Sequence, residues 1–227
     1  MTHFSIKQHP SYDMLLNHAM GKTSEAESLI ISCHLAYCKD CKAEMDKIEK
    51  IGGYYLHNHE QLKVSKNLWE DVLKKVDGVE QVQKQNSYIS SNIESNLTDK
   101  EINIPSFLSE YLGGKSSTNQ WKLTINNVRY IDIEFENKKL KGKLLEIPAG
   151  KSMPKHGHEA HEATLVLHGG YSDEKGDYNK GDLVVAGSDE VHSPVSSDVT
   201  GCICLVVYSG SLKFKGILGS LLNLSKF

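Results

Sequence analysis

Two groups of residues in this chain could bind metal, and they would do so with different chemistry. The first lies in Gly150-Lys-Ser-Met-Pro-Lys-His156-Gly-His158-Glu-Ala-His-Glu162-Ala-Thr-Leu-Val-Leu-His-Gly169, and His192 follows. Three imidazoles and a carboxylate at this spacing define a mononuclear site on a β-scaffold. Zinc, iron, manganese, nickel and copper all suit three nitrogens and one oxygen. The second group is His34-x-x-x-Cys38-x-x-Cys41 near the N-terminus. Two thiolates and an imidazole select zinc, and a structural zinc takes a fourth ligand. The candidates are His9, His3 and Cys33. His9 is preferred, because from just before the first helix it can bring a distant piece of chain to the metal.

The elements that must position these groups divide the chain. In a strand, alternate side chains share a face. His156, His158 and Glu162 all fall on even positions and are expected to point into one barrel mouth, with the odd-numbered His161 pointing away. His192 arrives from a later strand, after the turn signal Gly187-Ser-Asp. On a helix, His34 and Cys38 share a face, four residues apart, and Cys41 reaches the same point from the start of the next helix. Cys33 is expected in the core.

The first third reads as helices. Ser11 caps a helix through Leu15 and Met20, stopped by Gly21. Ser24-Glu-Ala-Glu27 matches a capping box and opens a helix carrying Leu29, Ile30, Cys33, His34 and Tyr37. A third helix follows Cys38 and is expected to end at Gly52-Gly53. A fourth, Val64 to Val76, places Val64, Leu68 and Val72 on one stripe, with Trp69 and Leu73 beside it. Residues 78–103 are rich in Gln, Asn, Ser and charge, as a linker would be. From Ile104 onward the text is short β-like runs, Trp121–Ile125, Val128–Ile133, Lys143–Ile147, Ala163–Leu167, Asp182–Val185 and Cys202–Tyr208, as in a barrel or sandwich. Residues 212–227 form a short apolar tail. The expected organisation is a multi-domain α + β protein: a helical zinc-binding bundle over 1–77, a linker over 78–103 and an all-β barrel over 104–211.

Bulk properties narrow the function. The 227 residues carry a formal net charge of −3 and a single arginine, Arg129. There is no global basic field to draw the chain to nucleic acid, and the commonest reader of guanine edges is nearly absent. The N-terminus lacks the apolar core of a signal peptide, and no apolar run approaches bilayer length, so a cytoplasmic, reducing setting is expected. Five cysteines, three of them between positions 33 and 41, then read as metal ligands rather than a disulfide framework. Cys202 and Cys204 alternate on a strand. They read as two small buried hydrophobes or as an oxidisable thiol pair near the metal.

Gly150, His156, His158, Glu162 and Gly169 match the first cupin motif, and Gly181 and His192 match the second; this part of the chain resembles the cupin superfamily. The second motif departs from the pattern at Gly187, Asp189 and Ser196, where proline, glycine and asparagine are usual, which loosens the turn but loses no ligand. His9 followed by His34-x-x-x-Cys38-x-x-Cys41 resembles the zinc-binding anti-sigma fold. The union of the two, in this order, closely resembles the ChrR-type anti-sigma factors over nearly the whole chain. That resemblance implies a first zinc on His9, His34, Cys38 and Cys41 and a second metal, expected to be zinc, on His156, His158, Glu162 and His192. It implies a one-to-one complex with an extracytoplasmic-function (ECF) sigma factor, blocked from RNA polymerase and released by singlet oxygen or organic hydroperoxides, with no direct nucleic-acid or membrane binding.

The apolar stripe Val64, Leu68, Trp69, Val72 and Leu73 must be buried against something, either its own bundle or a partner. In the second case Trp69 is the natural hot spot. Two rival functions share the same ligands: a metal-dependent cupin dioxygenase or isomerase using an open coordination position, and a regulator that holds a small molecule in the barrel.

Overall fold

The computed structural model of the chain describes residues 5–60, 62–77, 104–112, 121–124, 127–158, 160–188, 190–210 and 212–214. The expected linker, 78–103, and most of the expected tail lie outside them, as do His3 and Ile125.

Local signals set the first two helices. In α1 (Tyr12–Ala19) the Ser11 side chain accepts from Met14 N, and Gly21 beyond its end takes φ +65°. In α2 (Glu25–Tyr37) Ser24 and Glu27 form the full capping box. Cys38 ends α2 and caps α3 (Lys39–Asn58), its Sγ accepting from Cys41 N. The helix α3 runs through Gly52 and Gly53 and does not stop there. Each glycine costs a helix about 1 kcal/mol, but neither takes the left-handed conformation that terminates one, and Tyr54, Tyr55 and Leu56 continue the turns. The fourth helix, α4 (Leu68–Asp77), begins later than the apolar spacing predicts; Val64 lies in the segment ahead of it. The start of the β-like region also holds a short helix, α5 (Ser106–Leu112), opened by Pro105, whose carbonyl accepts from Leu108 N.

The strands are β1 (Lys122–Leu123), β2 (Arg129–Ile133), β3 (Leu140–Ile147), β4 (His156–His158), β5 (Glu162–Asp173), β6 (Gly176–Asn179), β7 (Leu183–Ala186), β8 (Val191–His192), β9 (Val195–Ser196), β10 (Cys202–Ser209) and β11 (Leu212–Phe214). The larger sheet runs β1-β2-β3-β10-β5, all antiparallel. The long β5 pairs with β10 and β7 along its first half and with β6 and β9 along its second. The smaller sheet, β11-β4-β8, supplies the opposite wall.

The run Cys202-Ile-Cys-Leu-Val-Val-Tyr208 is buried throughout, and its period of two assigns each side to a different neighbour. Even positions Cys202, Cys204, Val206 and Tyr208 join Ile147, Met153, Val166, Tyr171 and Tyr178 in the barrel interior. Odd positions Ile203, Leu205 and Val207 join Leu165, Leu167 and Leu183 on the outer face. There they form one apolar core with Leu29, Ile30 and Ile31 of α2, Met45 and Ile48 of α3, and Leu108 and Leu112 of α5. The helical bundle is therefore the cover of the sheet's outer face. That explains why α2 buries residues on nearly all sides and why β10 is apolar on both faces.

Candidate metal centres

The N-terminal cluster is built at a corner between two helices. His34 is in the last turn of α2, Cys38 is the shared cap, and Cys41 is in the first turn of α3. His9 comes from the extended segment before α1. Its Nδ1 lies 3.4 Å from Cys38 Sγ and 3.3 Å from Cys41 Sγ. One donor atom from each of His9, His34, Cys38 and Cys41 lies within 4.8 Å of the others. Tetrahedral zinc with ordinary bond lengths would set sulfur and nitrogen about 3.6 Å apart, close to what is seen.

His34 identifies the site most directly. It is fully buried; its Nδ1 donates to the Gly181 carbonyl at 2.9 Å, and its Nε2 has no hydrogen-bond partner among the described residues. A buried imidazole lone pair with no donor is costly, and here it faces two sulfurs and a second imidazole, the donor set of a zinc site. Burial pushes the His34 imidazole down to about 4. Burial, then the hydrogen bond with Cys38, pushes the Cys41 thiol up to about 12. Both shifts favour the neutral form of His34 and of Cys41, and a dication is what would hold Cys41 as a thiolate. Cys33 stands apart from the cluster, fully buried in the core, with burial lifting its thiol to about 12.

The second cluster lies in the barrel. His156 on β4 and His192 on β8 are direct cross-strand partners, with their Nε2 atoms 3.1 Å apart. Each ring is oriented from its other nitrogen. His156 Nδ1 donates to the Pro154 carbonyl at 2.7 Å, and His192 Nδ1 lies 3.6 Å from the buried Asp173 carboxylate. A carbonyl or carboxylate behind the ring is the usual second shell of a metal-bound histidine. Glu162, the buried first residue of β5, completes the group. Burial pushes its carboxyl up to about 7, opposed by a hydrogen bond donated by Thr164 at 3.3 Å. His158 is two residues from His156 on β4, with its side chain outside the described ones; His161 is exposed. Counting parity from His158 to Glu162 is not what brings these residues together, since β4 ends at His158 and a separate strand, β5, begins at Glu162. The closure of the two sheets does so.

A cavity of about 50 Å³ adjoins His156, Glu162 and His192, walled by Met153, Tyr171, Cys204, Val206 and Tyr208. Cys202 and Cys204 are both buried, with their sulfurs 3.1 Å apart, and Cys204 faces the cavity. The departures from the second cupin motif have a local remedy at Ser196. Its Oγ donates to the Pro148 or Lys151 carbonyl, at 2.5 and 3.1 Å, and accepts from Lys151 N at 3.2 Å, tying the later strand to the start of the first motif.

A third feature is apolar. On α4, Leu68, Trp69, Val72 and Leu73 are exposed, Trp69 by 69%, and Val64 ahead of it is exposed as well. The extension of α3 beyond Gly53 adds exposed Tyr54, Tyr55 and Leu56, which a helix ending at Gly52-Gly53 left out of consideration. Among the described residues the stripe is not packed into its own bundle.

The fold and its two clusters define a class: a helical bundle with a Cys/His knot, seated on a cupin-like barrel with a His/Glu centre. Residues 123–212 match the family model for the ChrR cupin-like domain. The anti-sigma-E factor ChrR of Cereibacter sphaeroides is 28% identical over 219 residues, covering 96% of this chain and 97% of ChrR. The crystal structure of Rhodobacter sphaeroides SigE in complex with the anti-sigma ChrR superposes with a TM-score of 0.71 at 27% identity. That match covers 90% of this chain and 100% of the matched one. The chain is thus similar to ChrR in the helical part and in the barrel alike.

Proposed function

We propose that this protein is an anti-sigma factor that binds an ECF-type sigma factor one to one, keeps it from RNA polymerase, and releases it under oxidative stress, by singlet oxygen or organic hydroperoxides. The observation that carries the reading is the exposed apolar surface of α4 and of the end of α3, the helix that starts at the Cys/His corner. Its similarity to ChrR, which is seen in complex with SigE, supports a sigma factor as the occupant.

The roles divide by domain. Residues 1–77 are the inhibitory unit, 78–103 the linker, 104–211 the sensor and 212–227 a tail. His9, His34, Cys38 and Cys41 would hold zinc, which on binding supplies folding energy and the charge that keeps the two thiols ionised. These residues fix the angle between α2 and α3 and so aim the apolar end of α3. Val64, Leu68, Trp69, Val72 and Leu73 dock on the partner, with Trp69 at the centre of the contact.

In the barrel, His156, His158, Glu162 and His192 would hold a second metal, for which zinc is our assignment. Histidine and thiol side chains are oxidisable, so damage at this centre changes the barrel's interior packing. The cavity of about 50 Å³ beside it is far smaller than the several hundred Å³ of a typical substrate pocket. That favours sensing over turnover of an organic substrate. We assign a cytoplasmic setting, in which the five cysteines stay free thiols; no described helix is long and apolar enough to cross a membrane.

Co-expression of the chain with each ECF sigma factor of its genome, followed by purification, tests the proposal. A stable equimolar complex with one of them is expected. Recovery of the chain alone in every case would refute it.

A further inference from the structure

Nothing in the two ligand motifs requires them to touch, yet one turn of the barrel reaches into the N-terminal cluster. The turn between β6 and β7, residues 179–183, is held to the barrel by a pair of bonds to β5, with Gly181 N donating to the Val166 carbonyl at 2.8 Å and Val166 N donating to the Asp182 carbonyl at 3.0 Å. Val166 is an interior residue of the barrel. From this anchored position the turn makes contacts with two of the four N-terminal donor residues or their immediate neighbours.

The first is the bond from His34 Nδ1 to the Gly181 carbonyl. It selects the tautomer and swings Nε2 toward the sulfurs. Gly181 sits at φ +94°, and a Cβ there would lie 2.5 Å from Ile6 and 3.6 Å from Tyr37, so only glycine lets the turn come this close. The second involves Asp182, a fully buried carboxylate. Its Oδ1 accepts from Lys7 N at 2.6 Å and Gln8 N at 2.9 Å, and its Oδ2 accepts from Asn179 N at 2.7 Å. Leu183 N donates in turn to the Gln8 carbonyl at 3.0 Å. Gln8 is thus bonded through both its N–H and its C=O, and the next residue is His9. The segment of Lys7, Gln8 and His9 is itself exposed; these bonds, with the core-packed Ile6 before it and the buried Pro10 after it, fix where His9 stands.

We infer that the Gly181–Asp182 turn is part of the outer shell of the N-terminal metal site, and that Asp182 is a positioning residue for His9 as the Gly181 carbonyl is for His34. The inference rests on the reading of His9, His34, Cys38 and Cys41 as metal ligands. It carries a consequence for signalling. The strand β7 that leaves the turn pairs with β5 so that Leu183 faces Leu165 and Ala186 faces Glu162. One ladder of four residue pairs therefore joins a residue of the barrel centre to the shell of the other centre. A shift of Glu162 can reach the inhibitory corner along this ladder without passing through residues 78–103.

The test uses the full chain with zinc and with cobalt as probes. Zinc affinity of the thiolate site is measured by competition with a chromophoric chelator, and the sulfur-to-cobalt absorption bands report the geometry of the site. Asp182→Ala should weaken zinc at this site about 10- to 100-fold, the usual cost of losing a second-shell partner. It should also move the cobalt bands. Asp182→Asn, which keeps an oxygen for Lys7 and Gln8, should recover most of the affinity. If Asp182→Ala does not fold, Gln8→Pro takes its place, removing one donor from the exposed segment and leaving the barrel residues intact. Wild-type affinity and an unchanged cobalt spectrum in the variant that folds would overturn the inference. A wild-type chain that gave no thiolate-to-cobalt band would instead sink the reading of the cluster as a metal site.

Discussion

His156 and His192 face each other across the β4–β8 pairing with their Nε2 atoms 3.1 Å apart. At that separation a proton or a cation must lie between the two nitrogens. Tetrahedral zinc would place them about 3.3 Å apart; the Pro154 carbonyl holds the other edge of His156, and the Asp173 carboxylate stands 3.6 Å from that of His192. His192→Ala should therefore halve the metal content, from two equivalents to one, and leave the Cys/His site filled. Sigma binding should survive and release by oxidant should be lost. Metal analysis together with complex stability before and after oxidant checks this; a variant that still releases sigma normally would separate the barrel centre from sensing.

At the other centre the bundle is small, and a bound metal would contribute to its folding. Cys38→Ser removes a ligand but keeps a capping oxygen for Cys41 N, which Cys38 Sγ now accepts from at 3.4 Å, so lost helix reports the metal and not the cap. We expect loss of one zinc equivalent, a drop in helical circular dichroism and loss of sigma inhibition together. A zinc-free variant that stays helical and inhibitory would show the metal to be dispensable.

The exposed apolar surface should carry the binding energy. Trp69→Ala should weaken sigma binding by about 2 kcal/mol, roughly 30-fold in dissociation constant, without changing thermal stability, because Trp69 is 69% exposed. Tyr55→Ala, on the part of α3 beyond the two glycines and 70% exposed, should weaken it in the same direction. Calorimetric titration of the variants decides whether both helices contribute.

Gly169 tests the barrel itself. It takes φ +66°, and a Cβ there would stand 2.0 Å from the Gly201 carbonyl oxygen. Backbone cannot yield as a flexible side chain can, so Gly169→Ala should destabilise the barrel by roughly 2–4 kcal/mol, read from denaturant unfolding.

Much of this was legible in the residues themselves. Ser11, Ser24 and Glu27 announce two helix starts, and the alternation of Cys202 to Tyr208 announces a strand, because caps and pleats are local. His9 could be preferred over Cys33 because a distant piece of chain has more to offer a small bundle, and the structure gathers His9 with His34, Cys38 and Cys41. The end of α3 is not legible, because paired glycines signal a stop only when one of them turns left-handed. The short α5 has a single local signal, Pro105 ahead of Ser106, set among β-like runs. No local pattern could show that His34 bonds to Gly181, 147 residues away. Nor could it show that one face of the sheet belongs to the helices, since a strand buried on both sides reads only as a continuous apolar run.

The most direct measurement is transcription in a purified system containing core RNA polymerase, the partner ECF sigma factor and a promoter that depends on it, titrated with the zinc-loaded chain. Transcription should fall to background at one equivalent of chain per sigma and return when singlet oxygen or an organic hydroperoxide is supplied. Full transcription in the presence of a large excess of the chain would contradict the account.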